Sequence, residues 1–185
     1  LILKIFTKVP VFSLFAAASE ALMVAFGTAS SSATLPLTIT CCEKRGISNR
    51  ICSFVLPLGA TLNMDGTAIL QTVAVIFLAQ MYGITLTPLL IAEIAFLAIV
   101  ASSTCAGIPG AGMITIALIL NAIGLSPDNM VVGFALLFTL ERFIDMLRTV
   151  CNVTSDVVVA AAIADNEDEL NYELLSGKLA DQKAE

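Results

Sequence analysis

The sequence contains no histidine, and charge is scarce: only 13% of its 185 residues are Asp, Glu, Lys or Arg. Soluble domains carry about 25%. Between Pro10 and Cys42 the sole charge is Glu20, and from Ile94 to Pro127 there is none. No basic run is available for nucleic acid. The five cysteines, at 41, 42, 52, 105 and 151, lack metal-ligand spacing, and are expected to be buried free thiols rather than a disulfide frame. No nucleophile–base pair, glycine-rich phosphate loop or metal cluster is visible, which argues against a soluble enzyme. What is present is apolar: 58% hydrophobic residues and a mean hydropathy of +0.95. A soluble chain this short has no core large enough to hide that much apolar surface. The expected fold class is therefore an all-α polytopic membrane protein. The chain opens at Leu1 inside an apolar phrase and reads as a piece of a longer polypeptide.

Four membrane elements can be drawn over residues 1–164, followed by an acidic tail at 165–185. The two charge-poor stretches are each too long for one span of about 20 residues and too short for two spans and a loop. Each is interrupted by small, helix-poor residues, Thr28 to Pro36 and Ser102 to Gly112. They read as re-entrant helical hairpins, at about 10–45 and 86–126, with Ser, Thr and Gly at tips buried in protein or lining a wet cavity. A kinked helix or small-residue packing seam is the plainer alternative. Between them runs a span at 50–80, broken at Asn63 to Gly66. A long last span covers 128–164. Lys44, Arg45 and Arg50, with Lys4 and Lys8, place the ends of the first hairpin in the cytoplasm. The loop at Tyr82 to Pro88 then lies outside, and the tail returns to the cytoplasm as a partly disordered end. The hairpins enter from opposite faces, their tips meeting near the midplane, as in an inverted repeat.

The last span carries the strongest chemical signal. Glu141, Asp145, Arg148, Asn152 and Asp156 are spaced by four, three, four and four, so they share an arc of roughly 80°. Ionisable groups inside a membrane are costly and mark a pathway or site. An Asp145–Arg148 ion pair alone does not account for the stripe, because three carboxylates face one guanidinium. Asp65 adds a fourth. Full ionisation leaves about -3, so protons or bound cations must compensate. Asn63, Asn152 and free carbonyls of an unwound joint are hard oxygen ligands that suit an alkali cation.

The phrases SSSATLP, LPLGATLNMDGTA, AGIPGAG and DMLRTVCNVTSD resemble the C-terminal core of the glutamate/aspartate transporter family, the dicarboxylate/amino acid:cation symporters. The resemblance covers nearly all of Leu1 to Ala164. It implies a sodium-coupled symporter of acidic amino acids with elevator-type alternating access, in a cell membrane (a bacterial inner membrane). It also implies a lipid-embedded homotrimer built through earlier spans. Arg148 would pair the substrate side-chain carboxylate, and Asp145 the amine. Asn152, Thr67 and backbone near Ser31 would take the main-chain carboxylate. Ile108 and Gly112 would line the second tip, the outer gate. One sodium ion would use Asp156 with carbonyls of Gly59, Asn63 and Asn152. A second would use backbone of Thr61, Ser102, Ser103 and Cys105. A third would use Asp65 and the Asn63 side chain, completed by an earlier span. Gln71 stands where animal members have a Glu tied to proton and potassium coupling. Ala29 and Met146 stand where archaeal and animal members respectively carry an Arg, and Leu70 replaces a Tyr. Rival readings are a proton-coupled carrier, a C4-dicarboxylate carrier, against which Asp145 argues, and a neutral amino acid carrier, against which Arg148 argues. An ion channel, from a different class, would need a ring of like groups.

Overall fold

The computed structural model describes Leu3, residues 7–125 and residues 131–176. Lys4, the 126–130 junction expected to open the last span, and tail residues 177–185 lie outside the described residues. The described chain is helical, with one isolated antiparallel bridge, Ile47 to Leu170. In order the helices are α1 (Val11–Thr28), α2 (Ser31–Lys44), α3 (Asn49–Leu62), α4 (Asp65–Met81), α5 (Pro88–Ser103), α6 (Ala111–Ala122), α7 (Val131–Asn166) and α8 (Tyr172–Leu175).

Local chemistry explains where the helices start and stop. Ser30, Ser48 and Thr87 cap α2, α3 and α5, their hydroxyls accepting from Ala33, Ile51 and Leu90 amides at 3.1, 3.3 and 3.2 Å. Each satisfies a donor that the first helical turn leaves free. Between α1 and α2 the chain reverses in two residues. Ala29 does the turning at φ 51, a left-handed conformation unusual for a residue with a Cβ. Its N–H donates to Ala25 O at 2.9 Å. The break is shorter than the sequence suggested: the helix resumes at Ser31, and Pro36 lies inside α2. Likewise the α3–α4 break spans only Asn63 and Met64, with Asp65 and Gly66 already in the first turn of α4.

Packing divides the molecule into two bodies joined by α7. One apolar cluster holds Leu14, Ala18, Cys42, Ile51, Leu56, Val157 and Ala161, from α1, α2, α3 and the later part of α7. The other holds Val75, Leu78, Ile94, Ala98, Ile116 and Leu120, from α4, α5 and α6. Phe134 and Leu137, at the start of α7, lean on it. With 36 residues, α7 is about 54 Å long, well beyond a hydrocarbon core of about 30 Å. Val11–Thr28, Asn49–Met81 and Val131–Asn166 are long and apolar enough to cross a membrane. Phe12, Phe54, Leu89, Phe138 and Phe143 are exposed. Such a belt of uncovered apolar side chains suits lipid or further membrane protein rather than water.

Two expectations need correction. Four cysteines are buried, but Cys151 is exposed on α7. The tail is not loose throughout. Residues 167–176 fold back onto the α2–α3 turn, where Ser48 N donates to Glu169 O at 3.2 Å and Asn171 N to Gly46 O at 2.8 Å. The Glu169 carboxylate accepts from the Ser48 hydroxyl and from Arg50 Nη1. Leu175 is buried in the same cluster as Cys42, Ile51 and Cys52. The acidic composition hid these apolar anchors.

Candidate functional site

The site forms where the α3–α4 joint meets the polar face of α7. Asp145, Arg148, Thr149, Asn152 and Asp156 are all buried, whereas Phe143 and Leu147, on the other side of the helix, are exposed. Glu141, at the end of the stripe, is only half-buried. Arg148 Nε donates to Asp145 Oδ1 at 2.5 Å, with both side chains at most 2% exposed. Arg148 Nη1 donates to Thr67 Oγ1 at 2.8 Å, and that oxygen also accepts from Asn152 Nδ2 at 3.2 Å. Asn152 Oδ1 accepts from Gly66 N at 2.8 Å. A removed partner would leave a buried charge uncompensated, which costs far more than the pair contributes.

Two glycines let the helices come this close. A Cβ on Gly66 would collide with the Arg148 carbonyl oxygen and sit 2.9 Å from Cys151 Cβ. One on Gly59 would lie 2.5 Å from Asp156 Oδ1. The carboxylate of Asp156 therefore lies against bare backbone of α3. Asn63 Nδ2 donates to that Oδ1 and to Ser155 Oγ, each at 2.9 Å. Ser155 Oγ in turn donates to Asp65 Oδ2 at 2.6 Å. Gly59, Asn63, Asp156 and, through Ser155, Asp65 thus form one oxygen-rich neighbourhood.

The two tips touch. Ser30 Oγ and Ser32 N donate to Gly107 O at 2.7 and 3.3 Å. Gly110 N donates to Asp145 Oδ2 at 3.1 Å, which brings the second tip to the ion pair. Ser31 is buried beside this contact. Gly112 is buried in α6 and faces Leu70, whose Cδ2 a Cβ would meet at 3.7 Å. Ile108 is 53% exposed. Of the remaining expected ligands, Thr61 is exposed at the end of α3. Ser102 and Cys105 are buried and Ser103 exposed at the end of α5, and α3 and α5 are in contact. Asp65 is exposed. Gln71 Nε2 donates to Thr115 Oγ1 at 2.5 Å, while its Oε1 is buried with no partner.

Sequence reasoning missed Ser30 and Ser155 as members of this hydrogen-bond network, and Met64, whose Sδ accepts from Asn152 Nδ2 at 3.2 Å. Ser155 was within reach: at 100° per residue it falls roughly 20° outside the polar arc of α7. Among the described residues no group of three His, Cys, Asp or Glu side chains could hold a metal ion. The donors are mostly neutral oxygens with isolated carboxylates, a set suited to a weakly held monovalent cation.

Fold and site together define an all-α polytopic membrane protein whose polar chemistry is gathered inside the helix bundle. The model of the sodium:dicarboxylate symporter family matches residues 1–166, and the chain belongs to that family. It is 46% identical over 146 residues to a Caenorhabditis elegans protein described as a sodium-dependent excitatory amino acid transporter, covering 78% of this chain and 28% of that protein. It is 44% identical over 157 residues to human excitatory amino acid transporter 2, covering 84% and 27%. Against mouse excitatory amino acid transporter 4 the identity is 44% over 145 residues, covering 78% and 25%. The chain thus spans about a quarter of the length of these relatives.

Proposed function

We propose that residues 1–164 are the substrate- and ion-binding core of a sodium-coupled symporter of acidic amino acids, glutamate or aspartate. The observation that carries this reading is the buried Asp145–Arg148 pair, flanked by Thr67 and Asn152. An acidic amino acid presents one amine and two carboxylates. Its amine takes Asp145, and its side-chain carboxylate takes the planar fork of Arg148. Both charges exchange an internal partner for an external one, so neither is left unpaired in the low-dielectric interior. Thr67, Asn152 and the Ser30–Ser32 tip remain for the main-chain carboxylate.

Sodium occupies the oxygen-rich neighbourhood of Gly59, Asn63, Asn152 and Asp156, a second position at Thr61, Ser102, Ser103 and Cys105, and a third at Asp65 and Asn63. The Caenorhabditis elegans relative's name specifies sodium dependence and the human relative's name excitatory amino acids, which supports sodium and an acidic amino acid as the transported pair. The second tip, Thr104 to Gly112 with Ile108 at its crest, is the outer gate of an elevator-type carrier. It is hydrogen-bonded to the first tip at Gly107 O and to Asp145 through Gly110 N. The carrier works in a cell membrane as a homotrimer held by other spans, with residues 165–185 in the cytoplasm. Gln71, an amide, does not titrate, which favours sodium over protons as the coupling ion.

The test is uptake of labelled aspartate into proteoliposomes holding the complete polypeptide, with sodium and proton gradients imposed separately. Uptake should follow the inward sodium gradient, with a Hill slope above one. Uptake driven by a pH gradient in sodium-free buffer would refute the reading.

A further inference from the structure

Hydroxyls inside a helix commonly bond back to the carbonyl four residues earlier. Thr139 and Thr149 of α7 do so, donating to Ala135 O at 2.8 Å and Asp145 O at 2.9 Å. Ser155 does not. Its proton goes to Asp65 Oδ2 at 2.6 Å, on α4, and its oxygen accepts from Asn63 Nδ2 at 2.9 Å, from the residue that ends α3. The same Asn63 amide nitrogen reaches Asp156 Oδ1. One hydroxyl therefore ties both sides of the broken helix to α7, three residues from Asn152 and next to Asp156.

We propose that Ser155 is a positioning residue for the cation held by Asn63 and Asp65, orienting both from α7. This rests on the sodium-coupled reading above. The hydroxyl holds the Asp65 carboxylate by Oδ2 and so fixes the direction of its other oxygen. The Asn63 contact turns its amide so that its carbonyl oxygen, rather than its nitrogen, is left free as a donor to the ion. Losing the hydroxyl frees the Asp65 carboxylate and leaves the Asn63 amide held by Asp156 alone. Ser155 touches none of Asp145, Arg148 or Thr67, so its removal should act on the cation and spare the substrate contacts.

The experiment compares the parent, Ser155→Ala and Ser155→Thr in the purified complete carrier. Sodium binding is followed by calorimetric titration, and aspartate binding is measured at graded sodium. Ser155→Ala should weaken the apparent sodium affinity about five- to tenfold, as expected for one charge-assisted hydrogen bond. Aspartate affinity at saturating sodium should stay within about twofold of the parent, which also shows that the variant is folded. Ser155→Thr, which keeps the hydroxyl, should restore the parent's sodium response. The proposal is overturned if Ser155→Ala leaves sodium affinity unchanged, if aspartate affinity falls equally at every sodium concentration, or if threonine is no better than alanine. A parent that binds no sodium refutes the symporter reading itself, a separate failure.

Discussion

The packed part of the tail offers a prediction in which two perturbations of one contact should differ in size. Residues 167–176 are held by a polar clasp, Glu169 with Ser48 and Arg50, and by an apolar plug, Leu175. Arg50 has 78% of its side chain exposed, and a salt bridge with so wet a partner contributes about 0–1 kcal/mol. Leu175 is 1% exposed, and truncating a leucine so enclosed costs about 2–5 kcal/mol. Leu175→Ala should therefore shift the opening equilibrium of the segment on the order of 100-fold, and Glu169→Gln by about fivefold at most. The reporters are built in: Cys42 and Cys52 are buried in the cluster that Leu175 completes. Maleimide labelling in membranes, resolved by site with mass spectrometry, should accelerate at these two thiols in proportion. Cys105, in the distant second tip, should not change. If Glu169→Gln accelerates labelling as much as Leu175→Ala, or Cys105 accelerates with the others, the plug does not hold the segment.

Three further outcomes follow from the site. Arg148→Cys removes the guanidinium beside Thr67 and should lower aspartate affinity at least about 100-fold, the loss expected when a buried charged partner is deleted; equilibrium binding with undiminished affinity would remove the assignment. Asp156→Asn keeps an oxygen beside Gly59 but loses a charge, so aspartate affinity should fall at low sodium and partly recover at high sodium; an equal fall at all concentrations would mean that Asp156 is not a cation ligand. Gly66→Ala gains about 0.5–1 kcal/mol of helix preference but forces apart α4 and α7, a cost of about 1–3 kcal/mol. Packing outweighs propensity, so aspartate affinity should drop about tenfold, and a variant binding as tightly as the parent would show that the close approach is dispensable.

Much of this was legible because the chemistry lies on one element. A helix projects residues at a fixed angle, so the face from Asp145 to Asp156 could be read from spacing alone. The interrupted elements were legible for a different reason: long charge-free runs with small residues in the middle do not fit whole spans. The lengths of the breaks were not. Ala29 takes a left-handed turn that its side chain does not favour, and only the packing of α1 against α2 selects it. Gly66 read as a helix breaker, yet it lies within α4 and serves as a gap for the Arg148 carbonyl. That role depends on a partner 82 positions away. The packed part of the tail was not legible for a related reason: averaged composition recorded its carboxylates and not the leucine that anchors it.

The geometry also sharpens the charge argument for coupling. Counted from sequence, the site held four carboxylates against one guanidinium. In the fold, Glu141 is half-buried and Asp65 exposed, while Asp145 and Arg148 neutralise one another. Asp156 is the one buried carboxylate of α7 without a cationic partner, since its nearest donor, Asn63, is neutral. Under the proposed function, an acidic amino acid would exchange partners with the Asp145–Arg148 pair and add a net charge of -1. The substrate's excess charge and that of Asp156 then lie in one low-dielectric region, where like charges repel strongly. On that reading, monovalent cations bound with the substrate would neutralise them. Asn152 lies between these charges, because its side chain contacts both Thr67 and Gly66 while Ser155 and Asp156, further along α7, bond to Asp65 and Asn63. Under the proposed function, a cation that settles the α3–α4 joint would also set the position of the substrate's ligands, so ion and substrate should each bind better with the other present.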